Sequence, residues 1–156
     1  MLNPPSIPVL LAELSLFRKF MASFSAAADD LWQRRPSPGE WSLNEIACHL
    51  RDVEIEVHQT RLRSLLTEDG AFLPGVDADE WAMTRDYYSQ DGRVALVDFV
   101  TARDKTITLL TPLPADVWER QGQHTFFGPT SLREIVFLAV RHDRVHAGQI
   151  QTLAAD

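Results

Sequence analysis

The sequence predicts an all-α fold, a four-helix bundle whose helices run up-down-down-up. Three observations predict it. Glycine is scarce, and nine prolines cluster between long stretches that lack them. Within those stretches apolar residues recur at steps of three and four rather than alternating. Four such stretches of roughly 20 to 28 residues would each be about 30–42 Å long, suited to sharing one central core.

The first helix is expected from about Pro8, tolerated in a first turn, to Arg35. Its stripe is Leu10, Leu14, Phe17, Met21, Phe24, Ala28, Leu31 and Trp32, and Pro36, Ser37, Pro38 and Gly39 stop it. The second follows Trp41. Ser42 with Glu45 three residues on reads as a capping box, and Ile46, Leu50, Val53 and Val57 form the stripe to Thr67. The third runs from about Asp91 to Leu110, with Val94, Val97, Phe99, Val100, Ala102, Ile107 and Leu110 on a broad apolar face. The fourth starts at Ser131, again with a carboxylate three residues on, Glu134. It continues through Ile135, Leu138, Ala139, Val145, Ile150 and Leu153 to the C-terminus.

About six residues join helices one and two, which makes them antiparallel neighbours. Roughly 22, Asp69 to Gln90, join helices two and three, a length that fits a crossover leaving those two parallel. Trp81, Tyr87 and Tyr88 are expected to pin that connection to the bundle side; the alternative is a lid over a pocket. Trp118 to Pro129 reads as a loop with room for a small hairpin, and Phe126 and Phe127 are expected to plug one end of the bundle.

A chain of 156 residues fits a single domain, 1–156, with one substantial core. Its charge, 15 − 22 = −7, argues against nucleic acid, which is held by clustered Lys and Arg. Here Arg34–Arg35 and Arg61 with Arg63 are only small groups. The N-terminal stretch is broken by prolines and lacks a basic start, so neither a membrane segment nor a signal peptide is expected, and a cytoplasmic protein is. One cysteine excludes an internal disulfide and the cysteine-based zinc sites. A site made of histidines stays open.

His142 and His146 lie four apart, one turn above the other on one helix face. That spacing lets two imidazoles share an ion at about 2.0–2.1 Å each. They also fall on the steps of their helix's core stripe, so both are expected to face the interior. His49 sits three after Ile46 and four before Val53, and Glu56 is seven further on the same flank. Two helices could thus aim three imidazoles at one point. The alternative for each is a hydrogen-bonded core histidine. His58, nine residues past His49, falls about 180° away on an ideal helix and is expected on the exposed face, not as a ligand. His124 is expected in a loop with a hydrogen-bonding or capping role.

The stretch W-S-L-N-E-I-A-C-H-L-R-D-V-E, Trp41 to Glu54, resembles the second-helix signature of the DinB-like (YfiT-like) metalloenzyme superfamily. D-G-R-V-A-L-V-D-F-V-T-A-R-D-K is similar to that family's third helix. H-T-F-F-G-P-T-S-L-R-E-I-V and R-H-D-R-V-H-A-G-Q-I are similar to its last helix and the loop before it. The ordered set covers about Ile7 to Leu153. The resemblance implies an up-down-down-up bundle and a divalent metal on three histidines, falling on His49, His142 and His146. Zinc or nickel is the family's usual metal, with iron or manganese as alternatives. It also implies thiol-dependent chemistry, since characterised relatives include mycothiol-dependent isomerases and S-transferases that use low-molecular-weight thiols.

Three histidines leave a metal with an open position, the pattern of a catalytic site. Such an ion lowers the pKa of bound water for hydrolysis, or deprotonates an incoming thiol. The resemblance favours the second, so what it implies is thiol-dependent S-transferase or isomerase chemistry on a small molecule. The runner-up is a metal-dependent hydrolase, and a non-catalytic metal-binding, stress-related protein or an empty structural bundle are the rivals. Glu56, Asp52 and Asp143 are candidates to orient the imidazoles through hydrogen bonds, Glu56 being best in phase. Cys48 points about 100° away from His49 and reads as a small buried residue. Arg61 and Arg103 could meet an anionic substrate or pair at the surface. Apolar residues exposed on long helices would make a homodimer reasonable.

Overall fold

Both capping boxes form. Ser42 Oγ accepts from the Glu45 amide at 3.3 Å while the Glu45 carboxylate accepts from the Ser42 amide at 2.9 Å, and Ser131 and Glu134 repeat the exchange at 3.2 and 2.8 Å. Asp91 caps a third helix by accepting from the amides of Arg93 and Val94. The computed structural model describes residues 2–155, and the last residue of the fourth predicted helix lies outside them. The helices are α1 (Ile7–Ala22), α2 (Asp29–Gln33), α3 (Leu43–Asp52), α4 (Gln59–Thr67), α5 (Trp81–Thr84), α6 (Gly92–Leu110), α7 (Ala115–Trp118) and α8 (Leu132–Ala155). A π-helical segment, Val53–His58, joins α3 to α4 in one continuous rod. That rod, α1, α6 and α8 are the four long elements. α6 packs on α1 and α3, and α8 packs on α1, α3 and α4.

The first predicted helix is broken. Residues 23–26 form a 3-10 turn, Ala27 and Ala28 are extended, and α2 follows. Ser23 turns its hydroxyl back onto the Phe20 carbonyl at 2.6 Å, a local bond that competes with helix continuation. Arg93 takes up the freed Ser25 and Ala27 carbonyls and pairs with Asp29. The segment before α8 holds the expected hairpin, β2 (Gln121–His124) against β3 (Gly128–Ser131), and β1 (Phe72–Leu73) adds parallel to β2. This ties the long 68–91 connection to the hairpin. Gly122 permits the approach, since a Cβ there would lie 2.6 Å from the Ala71 carbonyl oxygen.

The buried apolar residues form two clusters, one around Met21, Leu43, Ile46, Phe99 and Ile150, the other around Leu14, Leu62, Leu110, Trp118 and Ile135. Between them, on three helices, fall buried polar residues: Glu54 and His58, Arg103 and Thr106, Asp143 and His146. On α6 the inward face is Ala95, Leu96, Phe99, Ala102, Arg103 and Thr106, so Val94 and Val97, expected inside, are exposed. Val145 on α8 is exposed as well. The apolar stripe misleads on α6 because an arginine, not a valine, occupies the core phase. Phe126 and Phe127 do not plug the bundle; they are 75% and 50% exposed on the hairpin turn.

Candidate metal centre

α3 and α8 bring three predicted imidazoles together. His49 Nε2 lies 3.0 Å from His142 Nε2, which lies 3.1 Å from His146 Nε2. All three side chains offer a ligand nitrogen within 4.8 Å of the others. Three donors on a tetrahedral ion at the usual Zn–N distance would be about 3.3 Å apart, so the spacing fits a small divalent cation closely. Trp41, next to the α3 capping box, forms a wall: its indole stacks on His146 at 5° with 6.1 Å between centroids and tilts over His49 at 4.9 Å.

The proton count favours a cation. Gln149 Oε1 lies 2.7 Å from His146 Nδ1, which places that ring's proton on Nδ1 and leaves Nε2 a bare acceptor. His142 Nε2 touches two other Nε2 atoms, and a single proton serves only one of these contacts. Charging the rings is no remedy, because burial pushes every one of them down. His49 falls to about 3, helped by its neighbour His146; His142 falls well below the ordinary value, and His146 falls as well. Neutral imidazoles with converging lone pairs are what a metal requires. The donor set therefore fits a divalent ion.

The three carboxylates expected to orient these rings are engaged elsewhere. Asp52 is buried and accepts from Arg51, Arg85 and the Tyr87 hydroxyl, each at 2.7 Å. Glu56 is largely exposed and pairs with Arg85 at 2.6 Å. Asp143 is clamped by Arg103 at 2.7 and 3.0 Å. None bonds an imidazole; Gln149, three residues after His146, does so instead. Arg103 is fully buried and also reaches Glu54 at 2.9 Å, so it is neither a surface residue nor open to a substrate. Burial pushes Asp143 up to about 6 despite Arg103; burial also opposes the Glu54 charge, yet Arg103 and His58 hold that group below its ordinary value.

His58 is not on the exposed face. It is buried, its ring centroid 5.6 Å from that of His142, and burial lowers it to about 4. The π-helical segment explains this. Its i→i+5 bonding accommodates one extra residue, so a nine-residue step behaves as eight and returns His58 to His49's side. The same insertion carries Glu56 away from its expected flank. His124 ends β2, is buried, and accepts from the Phe126 amide at 3.2 Å, the expected hydrogen-bonding role. Cys48 is buried, as expected, and burial pushes its thiol up to about 11, which makes it a poor nucleophile.

Two cavities flank the trio. One of about 650 Å³ opens between Trp41, His146 and Gln149; another of about 290 Å³ lies toward His58, Arg61 and His124. His142 and Asp79 line both. The 68–91 connection, pinned by buried Tyr87, thus supplies residues that border the histidines, while Tyr88 is exposed and Trp81 stacks under Arg85 at 3.8 Å. No helix among the described residues is long and apolar enough to cross a membrane.

The sequence profile of the DinB superfamily matches residues 3–150. Among solved structures, the chain is similar to YfiT from Bacillus subtilis, described as a probable metal-dependent hydrolase with an unusual four-helix bundle topology. The TM-score is 0.81 at 18% identity, covering 99% of this chain and 91% of that one. A comparison with curated proteins gives no match.

Proposed function

The chain belongs to the DinB superfamily, and we propose that it is a divalent-metal-dependent enzyme acting on a small molecule, with His49, His142 and His146 as the metal ligands. The observation that carries this reading is the convergence of three neutral Nε2 atoms without enough protons to satisfy their contacts. A bound divalent ion would supply Lewis acidity and lower the pKa of a coordinated water or thiol. Zinc or nickel suits three imidazoles best, with iron or manganese as alternatives.

Hydrolysis is the reaction we favour, supported by the likeness to YfiT. The protein's part is to hold the donors: Gln149 fixes the His146 ring, Trp41 covers it, and Asp79 borders both cavities as the candidate to take a proton. Thiol transfer is the second reading. It is favoured by the engagement of Asp52, Glu56 and Asp143 elsewhere, because an external thiol deprotonated by a metal needs no protein base. The proposal takes the chain as one cytoplasmic domain whose rods run up-down-down-up with residues 68–91 as the crossover. It includes a homodimer through exposed Val94, Val97 and Val145.

The test is to load the protein with zinc or nickel and assay chromogenic esters, amides and phosphoesters without thiol. A second series combines low-molecular-weight thiols with an electrophile. Thiol-independent turnover lost in His49→Ala supports hydrolysis; turnover only with thiol supports transfer. Rates unchanged by His49→Ala and by chelation would remove both.

A further inference from the structure

Arg61 is a half-buried arginine that lines a cavity with no carboxylate paired to it among the described residues; Arg34 also lacks a carboxylate, but it donates to the Leu153 carbonyl at 2.6 Å and lines neither cavity beside the histidines. Arg103 is held by two carboxylates and Arg51 by Asp52. Arg61 is half-buried, its Nη2 donates to the Pro74 carbonyl at 2.8 Å, and its buried Nε–H has no partner. Among the described residues no carboxylate pairs with it, and burial alone moves it, downward. A desolvated guanidinium without a counter-charge is costly, and proteins retain one where a ligand completes the pair.

That guanidinium borders the 290 Å³ cavity shared with His49 and His142. His58 and His124 line the same space, so their two imidazoles and the guanidinium border one cavity. Val53, Val57, Val76, Leu138 and the rings of Phe126 and Phe127 supply apolar wall. Both rings are exposed on the hairpin turn. Asp77 and Asp79 also line the cavity, but both are exposed to solvent.

We propose that Arg61 binds the anionic group, carboxylate or phosphate, of a small molecule whose apolar body lies in this cavity and whose other end reaches His49 and His142. Only that last clause rests on the reading of the trio as a reaction centre. A planar guanidinium pairs with either anion through parallel N–H donors. The Phe126 and Phe127 rings then cover the apolar body.

The probes are 3-phenylpropanoate, its neutral amide and 2-phenylethyl phosphate, titrated by calorimetry into chelator-treated protein. Without metal, an acid cannot gain affinity by coordinating an ion. The expected result is that the acid or the phosphate ester binds at least about tenfold more tightly than the amide. Arg61→Gln brings the anions down to the amide, and Arg61→Lys, which keeps the charge without the fork, retains a smaller preference. The stronger of the two anions identifies the ligand's class. Equal binding of anions and amide, no binding of any probe at millimolar concentration, or a preference unchanged in Arg61→Gln overturns the proposal. If Arg61→Gln does not fold, the wild-type anion-to-amide ratio and its loss in high salt decide. An Arg61-dependent preference in a protein that takes up no metal supports this site and defeats the metal reading, so the two failures are distinct.

Discussion

Two buried polar groups lie side by side between the apolar clusters, and they are built in opposite ways. Arg103, Glu54 and Asp143 balance one another in charge: each faces an opposite one at 2.7–3.0 Å, Thr106 donates to Glu54 at 2.6 Å, and the Arg103 Nε–H is left without a partner. The trio converges on a point it cannot satisfy from within. The first arrangement ties three helices together, since Glu54 sits in the π-helical segment, Arg103 on α6 and Asp143 on α8 beside His142. The second holds donors ready for something external. Burial and polarity alone do not separate structure from function; whether each buried charge or lone pair meets its opposite inside the fold does.

The most severe way to break the comparison is Arg103→Met. It strands two buried carboxylates and should cost about 3–5 kcal/mol of stability, read by urea unfolding. Adding Glu54→Met and Asp143→Leu should recover most of that loss, because an apolar replacement of a whole buried ion cluster is often neutral. Metal should act on the other group alone. At a hundredfold excess over its dissociation constant, an ion bound only to the folded state adds about 2.7 kcal/mol, and His142→Ala should abolish that gain. The same variant without metal should lose little, since the contacts it removes are unsatisfied ones.

Acid should weaken the metal-free protein. The histidines are depressed in the fold, His49 to about 3 and His58 to about 4 against an ordinary 6.5, so the unfolded chain binds the extra protons. Their contribution is present above pH 6.5 and is lost as pH falls toward 4, roughly 3 kcal/mol for each ring. Asp143 opposes this: raised to about 6, it takes its proton first in the fold and adds relative stability over the same range. The net change is a fall, checked by thermal melts between pH 7 and pH 4.5. The smallest effect belongs to Glu56→Gln, which loosens an exposed pair with Arg85 and should cost under about 1 kcal/mol with metal affinity unchanged.

The four rods, both capping boxes and the i, i+4 histidine pair were legible because helical periodicity and capping are local. His49 was legible for the same reason, lying before any irregularity in its helix. His58 and Glu56 were misplaced together by one cause, the π-helical insertion at Val53–His58, which leaves no mark in the apolar pattern. Arg103 was misjudged because a charged residue in core phase looks like a flank residue until its two partners, 40 and 49 positions away, are brought to it. Trp41 and Gln149 had weak signals, one beside a cap and the other one turn from His146, but stacking and ring orientation arise only in the folded chain. β1 was missed since two residues pairing with a strand some 50 positions on carry no period.

The most direct test of the central claim is the metal content of the purified protein after equilibrium dialysis against zinc and against nickel, alongside His49→Ala, His142→Ala and His146→Ala. The account predicts one ion per chain in the wild type and a loss of at least tenfold in affinity in every variant. A wild-type protein that retains no divalent ion, or variants that retain it as well as the wild type, would contradict it.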